Sequence, residues 1–277
     1  MKPRHTYIIV EGPHDSSVVS RILRKNGLGF QPISLRNAVD STWDPVIPTT
    51  FPQINADNEP EFGRVTVPDF FQTHDQTVAI QFGGGISKLP TVLHDDMDQL
   101  SALPPDAIGL IIDADDGTAA NAYATFKTAI QAADFPFPLP ENHTQFHQGP
   151  PRIGVFVIPN NNDPGRLEDT MSECASVAYP QLLNVADDFV NAVNGHFAAN
   201  ADWLSKPCRN EYSADKLRVS AIASIMKPTA AIGNSYRQNK WITEETLVLP
   251  RISALSEFLK RLLADDADFS EGNKSDS

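Results

Sequence analysis

The 277-residue chain has only two cysteines, Cys174 and Cys208. Two thiols cannot build a disulfide scaffold, nor a structural zinc site by themselves, so a reducing cytoplasm is the expected setting. No apolar run approaches the roughly 20 residues that span a bilayer. The five-residue run before Glu11 is too short for a signal-peptide core. Basic residues are also short: 22 Lys+Arg face 35 Asp+Glu, a net charge of -13. That balance excludes a histone-like or polybasic binder, while leaving locally basic contacts open. No G-x-x-x-x-G-K-[ST] loop is present, so any ATPase would be a separate chain. Charged residues at 21% and hydrophobic ones at 41% are ordinary globular values, which exclude wholesale disorder.

Four short apolar segments read as strands: 6–10 (TYIIV), 77–82 (TVAIQF), 107–112 (AIGLII) and 152–158 (RIGVFVI). Runs this apolar suit strands buried on both faces of a parallel sheet. Helical spacing falls between them, over 16–25, 86–100 and 118–133, and again later over 182–193, 215–225 and 252–263. Alternation of this kind predicts an α/β fold with a roughly four-stranded parallel sheet flanked by helices. The chain divides into an α/β domain over 1–175, a helical extension packed on it over 176–264, and a disordered acidic tail over 265–277. Five prolines and no sustained period mark 37–69 as an irregular insertion, and 135–151 as a Pro-rich connection.

Ligands of open parallel sheets collect at the carboxyl ends of the strands. The first strand ends at Glu11, followed by Asp15; the third ends at Asp113 and Asp115; the fourth is followed by Asn160–Asp163 and then Glu168 and Asp169. The second runs into Gly83-Gly84-Gly85, Ser87 and Lys88. Clustered carboxylates raise one another's pKa unless a cation sits among them, and hard oxygen donors favour Mg²⁺, Mn²⁺ or Ca²⁺. Each feature has a plainer reading: Asp-x-Asp as a solvated turn, Asp116-Gly117-Thr118 as a cap, the glycines as a tight strand–helix turn.

The segment YIIVEGPHDSSVVSRIL resembles the first motif of Toprim domains, a strand ending in Glu-Gly with Asp four residues after the Glu, and IGLIIDADDGTAA resembles the second, a strand ending in Asp-x-Asp. With GGGISKLP and RIGVFVIPNNNDPGRLEDTM, the chain is similar to small stand-alone Toprim-like proteins and to the Toprim nucleases of the overcoming-lysogenization-defect family. The resemblance covers most of the chain outside 37–69 and the tail. It implies Glu11 as metal ligand or general acid/base, Asp15, Asp113 and Asp115 as metal ligands, Glu168 with Asp169 as further acidic ligands, and Lys216 offsetting phosphate charge. The implied activity is Mg²⁺- or Mn²⁺-dependent cleavage of DNA or RNA, as effector of an anti-phage system with a separately encoded ATPase, or as a homo-oligomer. The alternative is a non-catalytic Toprim-like binding or regulatory subunit. The chain departs from the family's other branches: it has no topoisomerase tyrosine domain and none of the zinc cysteines of primases. A phosphatase of the haloacid-dehalogenase type fits less well, because Asp113-x-Asp115 is followed by Asp116 rather than Gly.

Between residues 206 and 240 seven basics (Lys206, Arg209, Lys216, Arg218, Lys227, Arg237, Lys240) face two acids, about +5 against -18 elsewhere. Tyr212, Tyr236 and Trp241 are interleaved. With Lys88, these basics are candidate nucleic-acid contacts. A solvated helical face packed on the sheet is the alternative.

Overall fold

The computed structural model describes residues 3–25, 27–49, 53–54, 59–61, 66–197 and 211–265. The elements run β1 (Arg4–Val10), α1 (Pro13–Lys25), β2 (Gln31–Ile33), two 3₁₀ turns (Arg36–Ala38 and Ser41–Val46), β3 (Gln53–Ile54), β4 (Pro60–Glu61), β5 (Asp69–Gln72), β6 (Gln76–Phe82), α2 (Leu89–Gln99), β7 (Ala107–Asp113), α3 (Ala119–Ala132), β8 (Phe146–His147), β9 (Arg152–Ile158), α4 (Leu167–Ala178), α5 (Pro180–Phe197), α6 (Glu211–Met226), α7 (Ile232–Gln238), α8 (Glu244–Leu247) and α9 (Pro250–Leu263).

The four expected strands are β1, β6, β7 and β9, and they pair in parallel. The sheet is larger than expected: seven strands in the order β2-β5-β6-β1-β7-β9-β8, with β5 antiparallel to β6, β2 antiparallel to β5 and β8 antiparallel to β9. The sheet is therefore mixed, not four parallel strands. The added strands are short edge strands drawn partly from the spans expected to be irregular. Two to four residues with prolines nearby carry no readable alternation, and only pairing to a formed neighbour makes them strands. A separate ribbon joins β3 to β4. Lys206, Arg209 and residues 266–277 lie outside the described residues.

The near-continuous apolar character of the central strands follows from burial on both sides. One face packs Ile8, Val10, Val78, Ile80, Ile111 and Phe156 against Val18, Ile22, Met171, Ile222 and Leu259 of the surrounding helices. The other packs Tyr7, Ile9, Leu110, Ile112, Val155 and Val157 against α2, α3 and Trp43. Successive side chains alternate between these two cores, as a period of two requires. Helix α9 belongs to the first core: Ile252, Leu255, Leu259 and Leu262 are buried in it, and a Cβ at Gly109 of β7 would come 2.5 Å from Leu262 Cδ2. Truncating Leu259 to Ala would cost about 2–5 kcal/mol.

The topology positions the site. From β1 the chain leaves through α1 on the first face and reaches β6; from β6 it returns through α2 on the second face to β7, then moves outward through α3 to β9. Neighbouring strands β1 and β7 thus send their chains in opposite directions. That is a topological switch point, and a crevice opens beyond the carboxyl ends of the two strands.

Candidate active site

Five separated segments meet in this crevice. A cleft of about 340 Å³ is lined by Glu11, Gly12, His14, Asp15, Gly84, Gly85, Asp113, Asp115, Glu168 and Lys216, among others. Val10 stands beside Ile111 in the β1–β7 register, so Glu11 and Asp113 leave adjacent strands at nearly the same level.

Local structure explains each position. Pro13 suits the first position of α1, where no helical N–H is needed. Asp15 lies in that first turn, and its Oδ2 accepts the Gly12 N–H at 2.8 Å. The glycine turn needs all three of its glycines. A Cβ on Gly83 would lie 2.7 Å from the Leu89 backbone, and Gly84 and Gly85 have φ of 73° and 115°. That conformation aims the Gly85 N–H at the Glu11 carbonyl at 3.0 Å, and the Ile86 backbone amide lowers the pKa of the Glu11 carboxylate. The Asp113 backbone amide lowers the pKa of the same carboxylate. Asp116 and Gly117 form the turn before α3, and Thr118 caps that helix by accepting the Asn121 N–H at 3.2 Å.

The acids burden one another. Asp113 is raised well above the carboxylate range, first by burial and then by Asp15, Glu11, Glu168 and Asp115; its Oδ1 is buried with no hydrogen-bond partner among the described residues. Asp15 is pushed up to about 7 by burial and then by Glu11. Glu11 is raised by burial and by Asp115, against the pull of the two backbone amides and of Lys216. Lys216 Nζ lies 3.9 Å from Glu168 Oε1, the cationic counterweight of the cluster. His14, beside Asp15, is lowered by burial.

Other expected site residues stand elsewhere or are already engaged. Asp169 Oδ2 accepts the Arg166 N–H at 2.7 Å, an N-terminal cap of α4. Asp115 adopts a left-handed backbone (φ 54°), and its Oδ1 accepts Arg166 Nε at 2.7 Å, while Arg166 Nη2 reaches Asp116 at 3.1 Å. Arg166 is the residue that the sequence reading passed over. Its signal was available: an arginine directly before the Leu-Glu-Asp block, in a chain with an Asp-x-Asp-Asp run. Asn160–Asp163 bond mainly among themselves and to Val157.

The basic segment does not form an open stripe among the described residues. Arg218 pairs with Asp187 and Asp215, Lys227 bonds Gln238, and Arg237 holds Asp69, Ser16 and Ser17. Tyr236 and Trp241, placed among the expected contact residues, are fully buried instead. They fill the core where α6 and α7 pack onto α1 and α4, so aromatic spacing in this segment reports packing rather than stacking platforms. Lys88 and Lys240 are exposed, and Lys88 immediately precedes α2 after the glycine turn.

Whether these residues fit a divalent cation has two sides. The donors are hard oxygens of a mutually repelling cluster, and the orphaned Asp113 Oδ1 is the kind of atom a cation satisfies. Yet among the described residues no three His, Cys, Asp or Glu side chains are disposed to ligate one ion. Glu11 faces backbone amides, Asp15 caps Gly12 and Asp115 faces Arg166, so the donor chemistry fits while the ligand shell does not stand closed.

A mixed α/β sheet with an acid-lined crevice at its switch point defines the class. The chain belongs to the family described as "Protein of unknown function (DUF3226)", whose model matches residues 5–264. It is similar in fold to the hypothetical protein PH0156 from Pyrococcus horikoshii OT3, with 16% identity over 94% of this chain and 95% of that one and a TM-score of 0.51. No curated protein matches the chain. Among the described residues no helix is long and apolar enough to cross a membrane.

Proposed function

We propose that the chain is a Toprim-like, Mg²⁺- or Mn²⁺-dependent nuclease acting on nucleic-acid phosphodiesters. One observation carries the reading: Glu11, Asp15, Asp113, Glu168 and Lys216, spread over more than 200 residues of sequence, line a single cleft at the carboxyl edge of the parallel strands. Asp113, Glu11 and Glu168, with Asp15 behind them, would hold the cation. When bound it would neutralise the cluster and stabilise charge on a phosphate. Glu11 is the acid/base candidate, since its carboxylate lines the cleft and its pKa is raised by burial, against the lowering effect of two nearby backbone amides. Lys216 supplies positive charge at the same cleft. The glycine turn lets a substrate approach the backbone closely, and the exposed Lys88 beside it suits a flanking phosphate.

A second reading is favoured by Arg166. Its guanidinium satisfies Asp115 and Asp116, as a non-catalytic Toprim-like subunit, joined to a nucleic acid or to a separate ATPase, would tolerate. Calorimetric titration with Mg²⁺ and Mn²⁺, run beside cleavage assays on DNA and RNA, separates the two. The nuclease reading expects saturable cation binding, and cleavage reduced about 10²–10⁴-fold in Glu11→Gln with the fold intact. Cation binding that survives Asp113→Asn unchanged, or cleavage that survives Glu11→Gln, overturns it.

A further inference from the structure

Further along α1 than the strand-end crevice, at residues 20–24 rather than 13–15, lies a second pocket, of about 150 Å³, that the proposed chemistry does not use. At about 30 Å³ per water it holds roughly five waters, room for one tetrahedral oxyanion with part of its hydration. Its walls are Ser20, Arg21 and Arg24 of α1, Asp69 and Phe71 of β5, Ile33 of β2 and Arg237 of α7. Three guanidiniums against one carboxylate leave a local charge of about +2, in a chain whose net charge is -13.

The donors of this pocket are unequally engaged. Arg237 is committed: it grips Asp69 with both terminal nitrogens and donates from Nε to Ser17 at 3.0 Å. Arg21 is half committed. Two of its five N–H donors reach the carbonyls of Arg237 and Asn239, each at 3.2 Å, and these fix the side chain against α7. Its Nε–H is buried with no acceptor among the described residues and out of a ligand's reach, while two of its four terminal N–H donors are not taken by those carbonyls. Such an orphaned donor costs free energy, and a charged group more than a neutral one. Arg24, one turn further along α1, is exposed, and no described residue pairs with it. Its charge also acts unfavourably on Arg21. Two neighbouring arginines, one held rigid with terminal donors to spare and one unengaged among the described residues, line a pocket whose carboxylate is already taken by a third.

We infer that the pocket between α1, β2, β5 and α7 is a phosphate-type oxyanion site, with Arg21 as the fixed donor and Arg24 as the closing one. A phosphate group, carrying about -1 as a diester and about -1.5 to -2 as a monoester, is drawn by the local excess, and planar guanidinium forks match its oxygens. The site stands whether or not the acid-lined cleft hydrolyses anything. The phosphate could come from a free monoester or from a nucleic-acid backbone.

The test is a titration of the full chain with inorganic phosphate at pH 7.5, chloride-balanced to constant ionic strength, followed by calorimetry and by the thermal unfolding midpoint. Saturable binding that rises with phosphate is expected in the unmodified chain and in Glu11→Gln. Arg24→Gln, an exposed change that leaves the Arg21 and Arg237 contacts in place, is expected to weaken it about tenfold or more through loss of a charge-assisted donor. No saturable phosphate effect overturns the site; so does equal affinity in Arg24→Gln, or a loss in Glu11→Gln matching that in Arg24→Gln. Competition by a 5′-phosphorylated but not a 5′-hydroxyl oligonucleotide supports the site with a terminal monoester as source; Arg24-dependent competition by both supports it with the backbone phosphodiester.

Discussion

The two edges of the parallel strands treat charge in opposite ways. At the amino edge, each buried charge has its partners. Arg152, the first residue of β9, donates to the carbonyls of Leu262 and Ala264 at the end of α9, and Arg4, the first residue of β1, donates to Leu263 and Asp265. The buried His5 ring contacts Asp40 at 3.1 Å, and the His5 N–H donates to Asp106 at 2.7 Å. Helix α9 ends without a glycine cap, and these guanidiniums satisfy carbonyls that would otherwise be orphaned. At the carboxyl edge the same sheet holds three acids, Glu11, Asp15 and Asp113, raised by burial and by neighbouring carboxylates, and a buried Asp113 oxygen with no partner among the described residues. One edge is built for stability. The other stores electrostatic strain, which is the usual signature of a site that meets a ligand.

The contrast breaks most sharply under changes of pH. A carboxylate raised in the folded state keeps its proton where the unfolded chain has lost it. Its contribution is full below the unfolded value near 3.8 and is lost as pH rises through the folded value, for Asp15 about 7. Asp15→Asn is therefore expected to equal the unmodified chain in stability near pH 4. By pH 7.5 it should exceed it by on the order of 3 kcal/mol, read from urea unfolding across that range. A difference independent of pH would remove the strain from the carboxyl edge. Saturating Mg²⁺ at pH 7.5 should narrow the gap, because a cation relieves the same repulsion.

At the amino edge the expected sign is reversed. Arg152→Ala removes a buried guanidinium from several carbonyls and is expected to destabilise by about 2–3 kcal/mol while leaving cation affinity unchanged. Thermal unfolding beside the calorimetric titration checks both halves. Loss of cation binding in this variant would mean that the edges are coupled rather than separate.

The smallest effect sharpens the comparison within the site. Arg166→Gln breaks ion pairs whose acid partners are 58% and 89% exposed, so stability should change by less than about 1 kcal/mol. If Asp115 belongs to the cation shell, its release should tighten Mg²⁺ binding by roughly tenfold. Unchanged affinity would place Asp115 outside the shell and favour the non-catalytic reading.

Much of the site was legible because its acids stand directly after strands. A buried strand is an apolar run, and whatever polar residue ends it must emerge at the sheet edge, so Glu11 and Asp113 could be placed by inspection. Glu168 was reached through its Leu-Glu-Asp context. Asp169 was not separable from it by composition: adjacent residues in the first helical turn point in different directions, one into the cleft and one back to cap its own helix. Charge counts along a chain ignore partners, and Arg218 and Arg237 find theirs at Asp187 and Asp69, far away in sequence.

The order of apolar runs by itself determined the four central parallel strands and the helices between them, because hydrophobic period is a local property. It also determined that carboxylates gather at one edge. Only the tertiary structure decided that β2, β5 and β8 extend the sheet, that α9 fills its core, and that Arg166 rather than a neighbouring acid faces Asp115. Edge pairing, helix docking and ion pairing depend on which surfaces meet, and that distance is not written in any single stretch of the chain.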